Sequence, residues 1–458
     1  MTSLRELTQV FGRIGLFSFG GPAAQIALMH RELVETRPWL TEAQFLRALS
    51  FCMMLPGPEA MQLATYSGWR LRGIPGGLIA GGLFVLPGAI VIFALAWIYA
   101  HFGGVPLVQA IFLGVKATVV VIVLQAILKV AKKALKARSD IGIAIVSFVA
   151  LFFFNTPFPL LIAAAALYGA LATRARPTDG QKPVLSLGRT LRILAIGGVI
   201  WAAPLALAAL LGQEFLLSLG LFFSKLAVVT FGGAYSVLAY MTQEVVTGFN
   251  WLSTDQMMDA LGLAETTPGP LILVTQFVGH LAGNAQGQFV LAGLMSLWVT
   301  FVPCFIWIFA GAPLIDWLEH QPRISGALHA ITAAVVGVIA NLSIWFAAHV
   351  FFGDITKIDT GFLSFILPQI TTFQPIAAIL AAFAALLLLR LKWDMVLVLA
   401  IMAVLGLGLG VANLVCPLFT GVESFMLAAL SKEPPGERYD RLWQSHASRH
   451  AWTDQAGP

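Results

Sequence analysis

Two prolines around one glycine, Pro56-Gly57-Pro58, stand inside an apolar run, and the triplet returns as Pro268-Gly269-Pro270. No regular helix runs through it. Each proline lacks an N–H and clashes with the preceding turn, and glycine frees the backbone. Proline does fit the first turn of a new helix. Each triplet therefore predicts a break, with a half-helix starting at Pro58 and at Pro270. In a membrane the freed backbone groups need protein partners or a wet cavity. Broken helices at matching positions of two halves point to the substrate site of a transporter.

The breaks belong to a longer repeat. Phe19-Gly20-Gly21 recurs as Phe231-Gly232-Gly233, 212 positions later, and the proline triplets keep that spacing. At the same offset Arg13 meets Lys225, Glu32 meets Glu244, Trp39-Leu40 meets Trp251-Leu252 and Gln44 meets Gln256. Further on the register slips, so that Pro87 pairs with Pro303. This is an internal duplication.

Composition sets the class. The 458 residues are 59% hydrophobic and only 11% charged, against roughly 25% charged in a soluble domain. Residues 73–115, 141–173, 193–213, 266–315, 324–353, 360–389 and 395–422 contain no Asp, Glu, Lys or Arg. A spanning helix needs about 20 apolar residues. The chain reads as an all-α polytopic membrane protein in the lipid bilayer. Alternation of the outer-membrane-barrel kind is missing. Arg5, Glu6 and Arg13 leave no clean apolar core for a cleavable signal. The net charge of +5 comes mostly from basic loops and carries no nucleic-acid signature. Cys52, Cys304 and Cys416 show neither metal-ligand nor disulfide spacing. No cofactor, metal site or enzymatic cluster is expected.

In chain order, a polar lead (1–10) precedes a helix over 11–31 interrupted at Gly20-Gly21-Pro22. A charged loop (32–42) and the first break (43–69) follow. Spans are predicted at 77–100 and 107–128, and a hairpin at 141–173. This first repeat, 1–173, is joined by a basic linker and an extra span (174–216, span 193–211) to a second repeat, 217–413. Its segments are 221–241, 256–282, 288–311, 324–351 and a hairpin of 361–389 with 395–413. A C-terminal segment and polar tail cover 414–458. The loops at 70–73 and 129–138 carry two and five basic residues, and their counterparts at 283–287 and 354–360 none and one. By the positive-inside rule this reversal predicts inverted-topology repeats.

Half-helix N-termini at the two breaks would present unpaired N–H groups and about half a positive charge each, a setting for an anion. Candidate substrate contacts are Arg13, Gly20, Gly21, Pro56, Gly57, Pro58 and Gln62 in the first half. In the second they are Lys225, Gly232, Gly233, Thr267, Pro268, Gly269 and Pro270. Ser18, Thr230, Thr275 and Gln276 are further hydrogen-bonding candidates. Arg13 and Lys225 have a second reading, snorkelling to the interface. Glu59 and Glu265, nearest the breaks, are coupling candidates or partners of freed N–H groups. Glu32 and Glu244 either bridge loops or take part in coupling. Lys116 is a second substrate contact or a snorkelling cation. His30, His280 and His329 read as packed or interfacial, and the clusters Gly76-Gly77, Gly81-Gly82 and Gly406, Gly408, Gly410 as packing notches.

Phe19-Gly20-Gly21-Pro22, the run from Leu55 to Tyr66, Phe231-Gly232-Gly233 and Thr266-Thr267-Pro268-Gly269-Pro270 together resemble the chromate ion transporter family, in its long-chain form with two fused halves. The resemblance covers about residues 10–350. It implies a secondary transporter exporting chromate across the cytoplasmic (inner) membrane and conferring chromate resistance, with sulfate as a chemically similar ion. The alternative is a transporter or channel for another inorganic anion such as sulfate. No G-x-x-x-x-G-K-[ST] motif is present to use ATP. The two halves would work as a monomer or pair again as a homodimer.

Overall fold

The computed structural model describes residues 2–173, 187–229, 231, 234–315, 321–361 and 363–430. Thr230, Gly232, Gly233, most of the linker and the tail from 431 lie outside the described residues. The first half comprises α1 (Leu4–Leu16), α2 (Gly21–His30), α3 (Glu42–Met54), α4 (Glu59–Phe102), α5 (Pro106–Ala134) and a hairpin of α6 (Arg138–Phe154) with α7 (Phe158–Ala172). Helix α8 (Leu187–Leu210) follows. The second half comprises α9 (Glu214–Val229), α10 (Ala234–Gln243), α11 (Thr254–Thr266), α12 (Val274–Asn284), α13 (Phe289–Gly311), α14 (Pro322–Phe351), α15 (Pro375–Ala385) and α16 (Met395–Leu430). Among the described residues, six helices are long and apolar enough to cross a membrane.

The repeat is visible in local structure. The four-residue sequences Thr41–Gln44 and Ser253–Gln256 form matching capping boxes in which the hydroxyl accepts the glutamine N–H and the glutamine carbonyl accepts the cap N–H. This is why Gln44 and Gln256 pair in the repeat. Each box is preceded by a π-helical turn, Arg31–Thr36 and Glu244–Gly248. Each half-helix then ends on an extended residue, Leu55 (ψ 150°) and Thr267 (ψ 151°). Gly57 (φ 120°) and Gly269 (φ 87°) take backbone conformations that side chains rarely adopt. Pro58 and Pro270 occupy the N-cap position, so both prolines stand one place before the next helix. After Pro58 an α-helix starts directly at Glu59; after Pro270 a 3₁₀ turn, Leu271–Leu273, precedes α12.

Four expectations are corrected. The polar lead is helical from Leu4, because Ser3 caps it by accepting the Glu6 N–H at 3.1 Å and because Leu7, Val10, Phe11 and Ile14 form one buried face. The charged loop 32–42 is a folded corner. Glu32 is buried and accepts from Arg37 at 2.6 Å, and His30 sits 2.7 Å from Glu42 and 3.1 Å from Glu35. The predicted basic loop begins as helix: Lys129, Lys132 and Lys133 lie in the last turns of α5. The segment from 361 starts as strand. Ile355–Asp359 pairs antiparallel with Ser364–Pro368, and α15 begins only at Pro375. β-Branched Ile355, Thr356 and Ile358 favour the extended chain, and the Gly361 N–H donates to Asp359 at 3.0 Å in the turn.

The halves are interlocked. Helix α5 packs on α16 and α15 of the second half, while α14 packs on α6 and α7 of the first. Each long helix thus rests on the other half's terminal hairpin. Small residues permit the approach, as expected where lipid tails compete with apolar side chains. A β-carbon on Gly114 would overlap the Met402 carbonyl, one on Gly406 the Ala110 carbonyl, and one on Gly337 the Ala144 carbonyl. Helix α4 is broken once, at Arg72–Gly73, and its limbs fold back so that the Gly68 and Gly76 backbones touch. Helix α8 packs on α9 and α13 and exposes apolar side chains elsewhere, with Val199 71% and Leu210 85% exposed among the described residues; such apolar faces suit lipid.

Two stability predictions follow from this packing. Gly114→Leu is expected to cost about 1–3 kcal/mol by overpacking, while Gly408→Ala, facing open space, stays within about 1 kcal/mol of the parent; denaturant unfolding in detergent measures both. At Gly57 an added β-carbon would lie 2.9 Å from both Cys304 Sγ and Gln62 Nε2. Gly57→Ala is therefore expected to lower the unfolding midpoint, and Cys304→Ala in the same chain to recover only part of the loss, because backbone strain of about 1–3 kcal/mol remains.

Candidate functional site

The first break opens onto a cavity of about 330 Å³. Three elements of the first half meet there. The turn before α2 supplies Gly20, Gly21 and Pro22. The break after α3 supplies Leu55, Gly57 and Glu59. One face of α5 supplies Gln125, Lys129 and Lys133. The second half contributes Glu265 from the end of α11 and Thr332 from α14. Residues 125, 129 and 133 recur every four positions, so they share one face of α5.

Local geometry explains why the glycine turn can stand here. Gly20 (φ 84°) and Gly21 (φ 76°) are both left-handed, which reverses the chain between α1 and α2 and starts α2 at the cavity wall. Gly20 gives α2 no side-chain cap, and Pro58 gives α4 none. Two helix N-termini thus border one space, each carrying partial positive charge, with Glu59 in the first turn of α4. The Lys129 and Lys133 ammonium groups add two full charges at its exposed rim. Glu59 and Glu265 supply two carboxylates on its inner wall. The arrangement suits a small anion, with acids placed to balance the cations when the anion is gone.

The second break is used differently. Thr267, Pro268, Gly269 and Pro270 are all buried and do not line this cavity. The Gly269 N–H donates to the Ser18 carbonyl at 2.9 Å. Gln25 Nε2 donates to the Gly269 carbonyl at 2.6 Å and to the Ser18 carbonyl at 3.2 Å. At the first break Gln62 Nε2 donates to the Pro56 carbonyl at 2.7 Å. The helix following each repeated proline meets the opposite break: Gly88 lies against Pro268 and Cys304 against Gly57.

The sequence candidates therefore divide. Gly20, Gly21, Gly57, Glu59 and Glu265 come together in the cavity, with Pro56, Pro58 and Gln62 directly beside it. Arg13 is exposed in the last turn of α1, and Lys225 is exposed on α9 with its ammonium 5.5 Å from the Tyr240 ring centre; neither lines the cavity. Gly232 and Gly233 fall outside the described residues. Glu32 and Glu244 occupy the two π-helical turns away from it. Thr275 and Gln276 are buried within α12, where Gln276 Nε2 donates to the Ala89 carbonyl at 3.1 Å. His280 is packed between Phe93 and Phe289, and His329 sits 3.1 Å from Asp140. Lys129 and Lys133 escaped the sequence reading because they were counted as loop charges. Their four-residue spacing from Gln125 was the available signal.

Comparison with known proteins gives this geometry its setting. The sequence profile of the family described as "Chromate transporter" matches residues 5–170 and 217–407, one stretch in each half. The chain is 30% identical over 364 residues to a chromate transport protein of Cupriavidus metallidurans, covering 80% of this chain and 86% of that one. It is 33% identical over 347 residues to a chromate transport protein of Pseudomonas aeruginosa, covering 75% and 80%. A probable chromate transport protein of Synechococcus elongatus is 30% identical over 358 residues, covering 74% and 83%. No solved structure matches the chain. With two matched halves, paired proline breaks and, among the described residues, six helices long and apolar enough to cross a membrane, the chain belongs to the chromate transporter family.

Proposed function

We propose that this protein is a secondary transporter that exports chromate across the cytoplasmic membrane, loading it at the cavity beside the first break. The observation that carries the reading is the meeting of the N-terminal ends of α2 and α4 with Lys129 and Lys133 around one cavity. A tetrahedral dianion matches two cations and two helix dipoles. Arg13 and Lys225, outside the cavity, act as interfacial anchors in this scheme. Glu59 and Glu265 take the coupling role, holding the lysines in check between cycles.

Charge supports the export direction. The end of α5 that forms the rim continues into Lys136 and Arg138, which the positive-inside rule places on the cytoplasmic side. A cavity opening there collects its anion from the cytoplasm. One charge moving through 100 mV is worth about 2.3 kcal/mol, so a dianion leaving a negative interior gains about 4.6 kcal/mol per 100 mV. The exchanged packing of α5 and α14 on opposite hairpins supports inverted halves, 1–173 and 217–413, that rock about the breaks. Lower chromate tolerance in cells without the protein is the physiological corollary.

The test is chromate accumulation in cells lacking their own exporter, with and without this chain and its Lys129→Gln/Lys133→Gln variant. Expressing cells are expected to hold less chromate. The variant, losing charge-assisted hydrogen bonds worth about 1.5–3 kcal/mol each, is expected to lose at least tenfold in transport efficiency at unchanged membrane abundance. Equal chromate with and without the protein overturns the substrate. Full activity in the variant overturns the site.

A further inference from the structure

A second, larger cavity of about 720 Å³ lies toward the other end of α5. It is lined by Tyr99, Gln109 and Lys116 from the first half and by Asp255, Asp259 and Asn284 from the second. Lys116 stands thirteen residues before Lys129 on α5, about 20 Å along the helix axis. Its ammonium is 2.7 Å from Asp255 and 3.4 Å from Asp259. The Tyr99 hydroxyl donates to the other Asp259 oxygen at 2.6 Å. Between the two cavities α5 and α11 are in direct apolar contact. Val115 and Val119 press against α11 at Gly262, where a β-carbon would overlap Val115, and Met258 and Leu261 are buried nearby.

We propose that Lys116 is a second oxyanion station, receiving the substrate on the side opposite Lys129 and Lys133 and silenced by Asp255 and Asp259 in the conformation described. The inference rests on the oxyanion-transport reading above. Its physical basis is the division of the cluster between halves: the ammonium rides on α5, both carboxylates on α11. One lysine between two aspartates leaves the cavity with a net negative charge, which repels a dianion. Any movement that parts α5 from α11 opens the Val115–Gly262 contact and, in the same step, draws two carboxylates off Lys116. Path and binding charge become available together. A purely structural ion pair needs neither the water-sized space around it nor the polar side chains of Gln109 and Asn284 facing that space.

The experiment uses the full chain in proteoliposomes, with chromate exchange as one readout and equilibrium dialysis of chromate against the purified protein as the other. Lys116→Arg keeps the charge and is expected to exchange within about threefold of the parent. Lys116→Gln alone strands two acids, so Lys116→Gln/Asp259→Asn is the decisive variant, its folding checked by the unfolding midpoint. It is expected to bind chromate within about twofold of the parent, at Lys129 and Lys133, while losing at least tenfold in exchange. Exchange equal to the parent in the double variant overturns the inference and leaves the ion pair structural. A parent protein that neither binds nor exchanges chromate overturns the transport reading itself, and the second station with it.

Discussion

The structure depends on how it satisfies backbone polar groups where two half-helices stop at the proline breaks. An unpaired N–H or C=O in hydrocarbon costs several kcal/mol, so neither break can be left to lipid. At the second break the solution is protein: the Ser18 carbonyl and the Gln25 amide hold both sides of Gly269. At the first, Gln62 holds the Pro56 carbonyl and the remaining groups face a cavity. The same triplet is enclosed by protein once and borders a cavity once. The glycine turn between α1 and α2 joins the two roles, since Ser18 and Gln25 clamp the second break while Gly20 and Gly21 border the first cavity.

Much of this architecture could be read from the chain. The triplets, the 212-residue register and the pairing of Gln44 with Gln256 correspond to half-helices, matched π turns and matched capping boxes. The hairpin about Asn155-Thr156-Pro157 is there, with Asn155 in the left-handed cap. What was not legible is the asymmetry of use. A duplicated motif suggests duplicated duty, and only three-dimensional packing shows Gly269 occupied by Gln25, a residue whose counterpart is the apolar Val237. The cations lining the cavity were hidden for a related reason. Arg13 and Lys225 stand out because the repeat pairs them, whereas Lys129 and Lys133 look like ordinary loop charge until α5 is seen to run on to Ala134.

The two cavities share one helix, and this links binding to movement. Helix α5 carries Lys129 and Lys133 at one end and Lys116 nearer the other. It touches the second half along α11, α15 and α16. On the reading proposed above, a shift of α5 against α11 would act on both cavities at once, making the conformational coordinate and the charge seen by the anion one variable.

The crossed hairpins carry a consequence for how such a chain can be divided. A first half by itself would present the Gly114 notch of α5 with nothing to fill it, because the segment around Met402 that occupies it belongs to the second half. The second half would likewise lack α6 and α7 beneath α14. Each half leaves exposed a packing surface that the other half covers. The molecule has the geometry of two mutually dependent subunits joined end to end, with α8 as the added crossing between them.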